Sequence, residues 1–263
     1  MMKRMLICML SLLLLLNGCT ASATGSKEIV GIIGAMEEEV ALLKEMAEIR
    51  KTSTVSGMEF IEGTIGKKNV VIVQCGVGKV NAAVCAEALI TRFNASCLIN
   101  TGCAGSLDNR LDIYDFVVST DVVEHDVDAS GIGFPRGEIP YTGRSAYPAD
   151  ETLQKKALKA IREAEPDVTV YSGRICSGDQ FIYLQEQRDD IFSAFGALCS
   201  EMEGAAIGHV CYLNETPYVI VRAISDKADG SEVVEFSEFE KEASERCAAV
   251  TAYMVNHWDD PVN

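Results

Sequence analysis

From residue 28 onward the chain alternates short, uniformly apolar runs with longer segments of helical period, and this alternation restricts it to an α/β fold. Residues 28–34 (EIVGIIG) are apolar at successive positions and close on glycine, the pattern of a strand buried on both faces. Residues 37–49 place Val40, Leu43, Met46 and Ala47 at helical spacing. Residues 58–65 and 69–75 read as two strands of a hairpin around Gly66, Lys67, Lys68 and Asn69. Helices are then expected over 80–93, 150–164, 186–195, 203–213 and 237–257. Strands are expected over 96–102, 115–126, 168–178, 197–202 and 217–225, and a Gly- and Pro-rich loop over 125–148. The pattern predicts one α/β domain over 28–263, a central mixed or largely parallel sheet flanked by helices, with no linker or internal repeat. Sites in such sheets lie beyond the carboxyl ends of the strands, so function is sought in the turns after the apolar runs.

Residues 1–18 precede this domain with a different composition. Lys3 and Arg4 lead into an apolar run, residues 5–16, too short to cross ~30 Å of hydrocarbon. That is the layout of a secretory signal. The run ends in Leu16-Asn17-Gly18-Cys19, which resembles the lipobox of bacterial lipoproteins. The resemblance implies cleavage before Cys19, lipidation of its thiol, and an exported protein held at the cell envelope by its lipid. Residues 19–27 would then be a flexible tether. An ordinary secreted protein is the alternative.

Acidic residues outnumber basic ones, 39 to 23, for a net charge of −16, and no polybasic run occurs. Phosphate neutralisation needs clustered Lys and Arg, so nucleic acid and anionic membrane surfaces are excluded as partners; membrane contact would come only through the lipid anchor. Of the 10 cysteines none forms a C-x-x-C pair, which argues against zinc and dithiol redox chemistry. Most lie in apolar runs and read as small buried hydrophobes.

Six strand-end turns carry the functional signal: GAMEEE (34–39), CGVGK (75–79), NTGCAG (100–105), SGDQFI (177–182), SEMEG (200–204) and RAISDKAD (222–229). In this order, from about residue 28 to 256, they resemble the 5′-methylthioadenosine/S-adenosylhomocysteine nucleosidases of the nucleoside phosphorylase superfamily. The resemblance implies hydrolysis of an N-glycosidic bond with release of adenine and a thioribose, a step in methionine and purine salvage. It implies no metal or organic cofactor, a small nucleoside substrate and a homodimer.

The chemistry makes three demands: water must be activated, the ribosyl cation stabilised, and the leaving purine protonated. By resemblance Glu39, the third Glu of GAMEEE, activates water; otherwise it is a carboxylate favoured by a helix start. Asp226 of the ISD motif protonates the purine at N7, with Ser225 orienting it, unless Asp226 is an N-cap. Glu203 accepts from the ribose hydroxyls and Met202 lies against the ribose face; Glu201 alternates away, to other contacts or solvent. Phe181 stacks on the purine and the backbone of Ile182 bonds its edge. Met36, Val77 and Phe236 match the 5′-alkylthio pocket, which the family completes with a partner subunit's loop. The corresponding stretch here includes Ala129, Ile132 and Pro140. One position departs from the family: Cys103 stands where the motif usually has Ser, whose hydroxyl helps hold the carboxylate and water, and a thiol is the weaker donor.

Phosphorylases of the superfamily need an anion site, and Glu37, Glu38 and Glu39 would repel phosphate there. Three alternatives stay open: a phosphorylase using Arg222 or Lys79, a nucleosidase for a related nucleoside such as aminodeoxyfutalosine, and a lipid-anchored nucleoside-binding protein without turnover.

Overall fold

The computed structural model describes residues 28–227 and 232–262, the side chains of 232–238 excepted. The expected signal, Cys19 and the whole tether lie outside the described residues, as does the side chain of Phe236. The strands are β1 (Ile29–Gly34), β2 (Glu48–Val55), β3 (Met58–Ile65), β4 (Lys68–Gln74), β5 (Cys97–Ser106), β6 (Phe116–Glu124), β7 (Ala146–Pro148), β8 (Val170–Ser177), β9 (Cys199–Glu201) and β10 (Tyr218–Asp226). The helices are α1 (Ala41–Met46), α2 (Lys79–Phe93), α3 (Glu151–Ala164), α4 (Gln185–Phe195), α5 (Gly204–Leu213) and α6 (Glu232–Asn256). Among the described residues no helix is long and apolar enough to cross a membrane.

All strands form one mixed sheet that closes on itself. β5 is the hub: it pairs parallel with β1 and β10 and, at its far end, antiparallel with β9. β9, β8, β6 and β10 complete the ring back to β5, while β1, β4, β3 and β2 extend from it as an open wing. Closure removes two sheet edges and draws the carboxyl ends of β1, β5, β9 and β10 together. The expected central sheet is present; its closure was not visible in the apolar pattern, because register between distant strands leaves no local trace.

Apolar layers lie on both faces. On one, α2 and α5 pack through Cys85, Leu89, Ile207 and Cys211; on the other, α1, α3 and α6 bury Leu43, Ile161, Val250 and Val255. Cys75, Cys85, Cys97, Cys103, Cys176, Cys199, Cys211 and Cys247 are all buried free thiols, in keeping with their apolar context. The Asp150 carboxylate accepts from the Leu153 N–H at 2.8 Å and starts α3.

One expected helix is cut short. The 37–49 segment is helical only over α1, and residues 48–55 instead form β2 against β3 through a two-residue turn, Ser56 and Gly57, both at positive φ. That turn matches the twist of a hairpin, and pairing with β3 overrides the helical spacing upstream.

Candidate active site

The strand ends surround a cavity of about 220 Å³. Met36, Glu39, Val77, Cys103, Phe181, Met202, Glu203, Ser225 and Asp226 all border it, so most of the expected site residues converge from separate turns. Ser200, Glu201 and Arg222 join them.

Glu39 lies in the tight turn just before α1 rather than within its first turn, and is buried. Its Oε2 accepts from the backbone N–H groups of Ala35 at 2.5 Å and Met36 at 3.0 Å. Its Oε1 accepts from the N–H of Cys103 at 3.1 Å and lies 3.7 Å from Arg222 Nη1. Burial pushes the carboxyl above its ordinary range; Arg222 and the three N–H donors pull the other way. Gly102 explains why a glycine follows the Asn and Thr of NTGCAG: a Cβ there would collide with the Glu39 carboxylate and the Arg222 guanidinium. Cys103 contacts Glu39 through its backbone N–H, while its thiol is associated with Ser244 and is pushed up in pKa by burial. The other two glutamates of GAMEEE are not aligned with Glu39. Glu37 is exposed and paired with Lys44 at 2.6 Å, so the acidity facing the cavity at this turn comes from Glu39 alone.

Arg222 organises the acidic side of the cavity. It is buried and bonded to Glu201, to Asn100 Oδ1 at 2.5 Å, and more distantly to Glu203 Oε2 at 3.5 Å. In the sequence Arg222 stands out only as a candidate phosphate ligand. The signal for its actual setting was a lone charge inside the apolar run 217–225, since a buried charge has to be paired. Of the two expectations for Glu201, other contacts or solvent, the structure gives contacts: it is buried, though it borders the cavity rather than turning away from it. Its carboxylate accepts from Ser177 Oγ and from the N–H groups of Glu203 and Gly204, at 3.1 and 2.8 Å. It therefore caps the start of α5. Glu203 is free of that duty. It accepts from the Gly78 N–H at 2.8 Å, which ties the CGVGK turn to the SEMEG turn, and burial followed by repulsion from Glu201 holds its carboxyl above the usual range.

Asp226 is the last residue of β10, and a register shift against β5 falls between Ile224 and Asp226. Such an irregularity re-aims a side chain. Asp226 is buried, and Ser225 Oγ donates to its Oδ2 at 2.9 Å. Its Oδ1 leans over Gly105, where a Cβ would come within 2.7 Å.

The apolar wall comes from Met36, Val77, Phe181 and Met202; Val77 and Phe181 are half-exposed at the mouth. Ile182 is buried among Leu107, Cys176 and Ile191 and borders a smaller annex beside the main cavity. Ala129, Ile132 and Pro140 are not brought to this chain's cavity, and Ile132 is exposed. Lys79, the other cation weighed for phosphate, bonds Glu124 at 2.9 Å and Asp126 at 2.6 Å.

Residues 29–256 match the family model described as the phosphorylase superfamily. A relative from Staphylococcus haemolyticus, a 5′-methylthioadenosine/S-adenosylhomocysteine nucleosidase, is 38% identical over 227 residues, covering 86% of this chain and 98% of the relative. The crystal structure of the Neisseria meningitidis nucleosidase of the same name, in complex with methylthio-immucillin-A, superposes with a TM-score of 0.83 at 39% identity, covering 87% of this chain and 99% of that one. The futalosine hydrolase of Helicobacter pylori superposes with the same TM-score, 0.83, at 30% identity, covering 88% of this chain and 98% of that one.

Proposed function

The chain belongs to the phosphorylase superfamily, and from that membership we propose how it works: as a hydrolase of 5′-methylthioadenosine and S-adenosylhomocysteine in which Glu39 and Asp226 act as base and acid. It is an N-glycosyl hydrolase of purine nucleosides. The observation that carries the residue assignment is that a carboxylate on the β1 side and a carboxyl on the β10 side border one cavity large enough for most of a nucleoside.

In the proposed reaction the water oxygen attacks C1′ while the N9–C1′ bond breaks and its electron pair passes to the purine. Glu39 takes a proton from the water, and Asp226 delivers one to N7, so adenine leaves neutral. The Ser225 hydroxyl donates to Oδ2 of Asp226 and so orients the carboxyl. Glu203 binds the ribose hydroxyls, and its negative charge favours a sugar becoming cationic. Arg222, held by Glu201 and Glu203, faces Glu39 and steadies its charged form. Met36, Val77, Met202 and Phe181 supply the apolar surface for the thioether and the base.

Both cations weighed for a phosphate site are engaged by carboxylates, Arg222 by Glu201 and Lys79 by Glu124 and Asp126. That favours water over phosphate as nucleophile. An acid and a base on the same cavity favour turnover over binding alone. The deciding experiment is adenine release by the purified protein from methylthioadenosine, S-adenosylhomocysteine and aminodeoxyfutalosine, each with and without phosphate. Phosphate-independent release from the first two supports the assignment. Release only with phosphate, or only from the third, refutes it.

Two further parts of the proposal rest on the sequence. The chain is an exported lipoprotein, cleaved before Cys19, that scavenges external nucleosides; palmitate labelling lost in Cys19→Ala tests this. It is a homodimer in which Ala129, Ile132 and Pro140 of one subunit line the alkylthio pocket of the other. Exposed apolar side chains at Val77, Val80, Ile132 and Leu213 support a covered surface, and sedimentation equilibrium tests it.

A further inference from the structure

Ser200 is 6% exposed, and its Oγ has no hydrogen-bond partner among the described residues. A buried hydroxyl without a partner costs stability, so one retained beside a cavity points to a ligand atom. Ser200 borders both the main cavity and the annex that opens from it, a space of about 40 Å³ shared with Gln180 and Ile182.

The sheet register places this hydroxyl relative to the proposed acid. Gly105 of β5 is the register partner of Asp226 on β10 and of Ser200 on β9, so the two residues flank one glycine on opposite edges. Both side chains border the cavity, and two strand spacings set their backbones about 10 Å apart. Gly105 offers no side chain between them. The result is a slot with an open floor, Asp226 on one flank, Ser200 on the other, and Phe181 and Met202 bordering both spaces.

We infer that Ser200 is a base-recognition residue whose hydroxyl donates to N3 of the adenine ring. This rests on the proposed function, in which Asp226 takes the N7 edge of the purine. A planar base with N7 at Asp226 turns its opposite edge, which carries the N3 acceptor, toward Ser200. A serine hydroxyl can donate there whatever the protonation state of N7, so the contact serves substrate and free adenine alike. The ligand class is a purine with an unsubstituted N3 acceptor.

The test is equilibrium binding of free adenine and of 3-deazaadenine, which has a C–H in place of N3, measured by calorimetry on the full protein and on Ser200→Ala. One neutral hydrogen bond contributes about 0.5–1.5 kcal/mol, a factor of about 2–13 in affinity. The unaltered protein is expected to prefer adenine over 3-deazaadenine by a factor in that range. Ser200→Ala should bind adenine more weakly by a similar factor and lose the preference, with its melting temperature little changed. A preference that survives Ser200→Ala, or no preference in the unaltered protein, overturns the assignment to Ser200 while leaving the purine site in place. Failure of adenine to bind the unaltered protein at all overturns both this inference and the reading of the cavity as a purine site.

Discussion

Replacing Glu39 by glutamine separates catalysis from folding, because the two effects differ in size. The carboxylate accepts three backbone N–H groups, two on Oε2 and one on Oε1, and Arg222 Nη1 stands 3.7 Å from Oε1. An amide has one acceptor oxygen. Turned toward Ala35 and Met36, it keeps two of the bonds and presents its NH2 to the Cys103 N–H and to Arg222. The Cys103 N–H is left without its acceptor, at a cost of about 1–3 kcal/mol. Against this stands the relief of burying a charge. Burial raises the Glu39 pKa, so the folded state binds the proton more tightly than the unfolded chain does. The stability contributed by this group is present below the unfolded pKa and is lost as pH rises through the folded one, so the ionised form is a burden at neutral pH. The two terms oppose, and Glu39→Gln should shift the melting temperature by less than about 5 °C in a domain of this size. Loss of a general base costs about 10²–10⁴ in rate, or about 3–5 kcal/mol of transition-state stabilisation, which exceeds the net folding term. Initial rates of adenine release under saturating methylthioadenosine, alongside thermal melts, measure both. The unaltered protein should also lose activity on the acid side with a midpoint above the ordinary carboxylate range, as Glu39 takes up its proton. Turnover of Glu39→Gln within tenfold of the unaltered protein, with the same acid limb, would refute the role of Glu39 as base.

Asp226→Asn removes the proton donor while keeping the size of the side chain, and kcat should fall by about 10²–10⁴ with the melting temperature nearly unchanged; near-normal adenine release would remove Asp226 from the mechanism. Arg222→Met leaves Glu201, Glu203 and Glu39 buried without their shared cation, and urea unfolding should show a loss of about 3–5 kcal/mol. A loss under 1 kcal/mol would mean the carboxylates find other partners. Cys103→Ser should keep or raise turnover, since the backbone contact to Glu39 survives the exchange and a hydroxyl is the stronger donor; a large fall in kcat would show that the thiol itself is needed.

The order of elements and the turns that carry the chemistry were legible along the chain because both are local. An apolar run closing on glycine marks a strand and its turn whatever the rest of the molecule does. That is why residues 28–34 and 217–225 lie close to β1 and β10, and why Glu39, Glu203 and Asp226 could be singled out before any contact was known. The β2 hairpin was legible too, in Ser56-Gly57, but helical spacing just upstream masked it. Closure of the ring through β5 and β10, the pairing of Arg222 with Glu201, the capping of α5 by Glu201, and the placement of Ser200 across Gly105 from Asp226 were not legible. Each depends on which of two neighbouring side chains in a strand faces inward and on which distant strand lies beside it. Register is set by the summed packing of the whole sheet, so a one-residue slip would exchange Ser200 and Glu201 between faces. Residue type and local pattern carried the chemistry; only the closed sheet decided which groups meet.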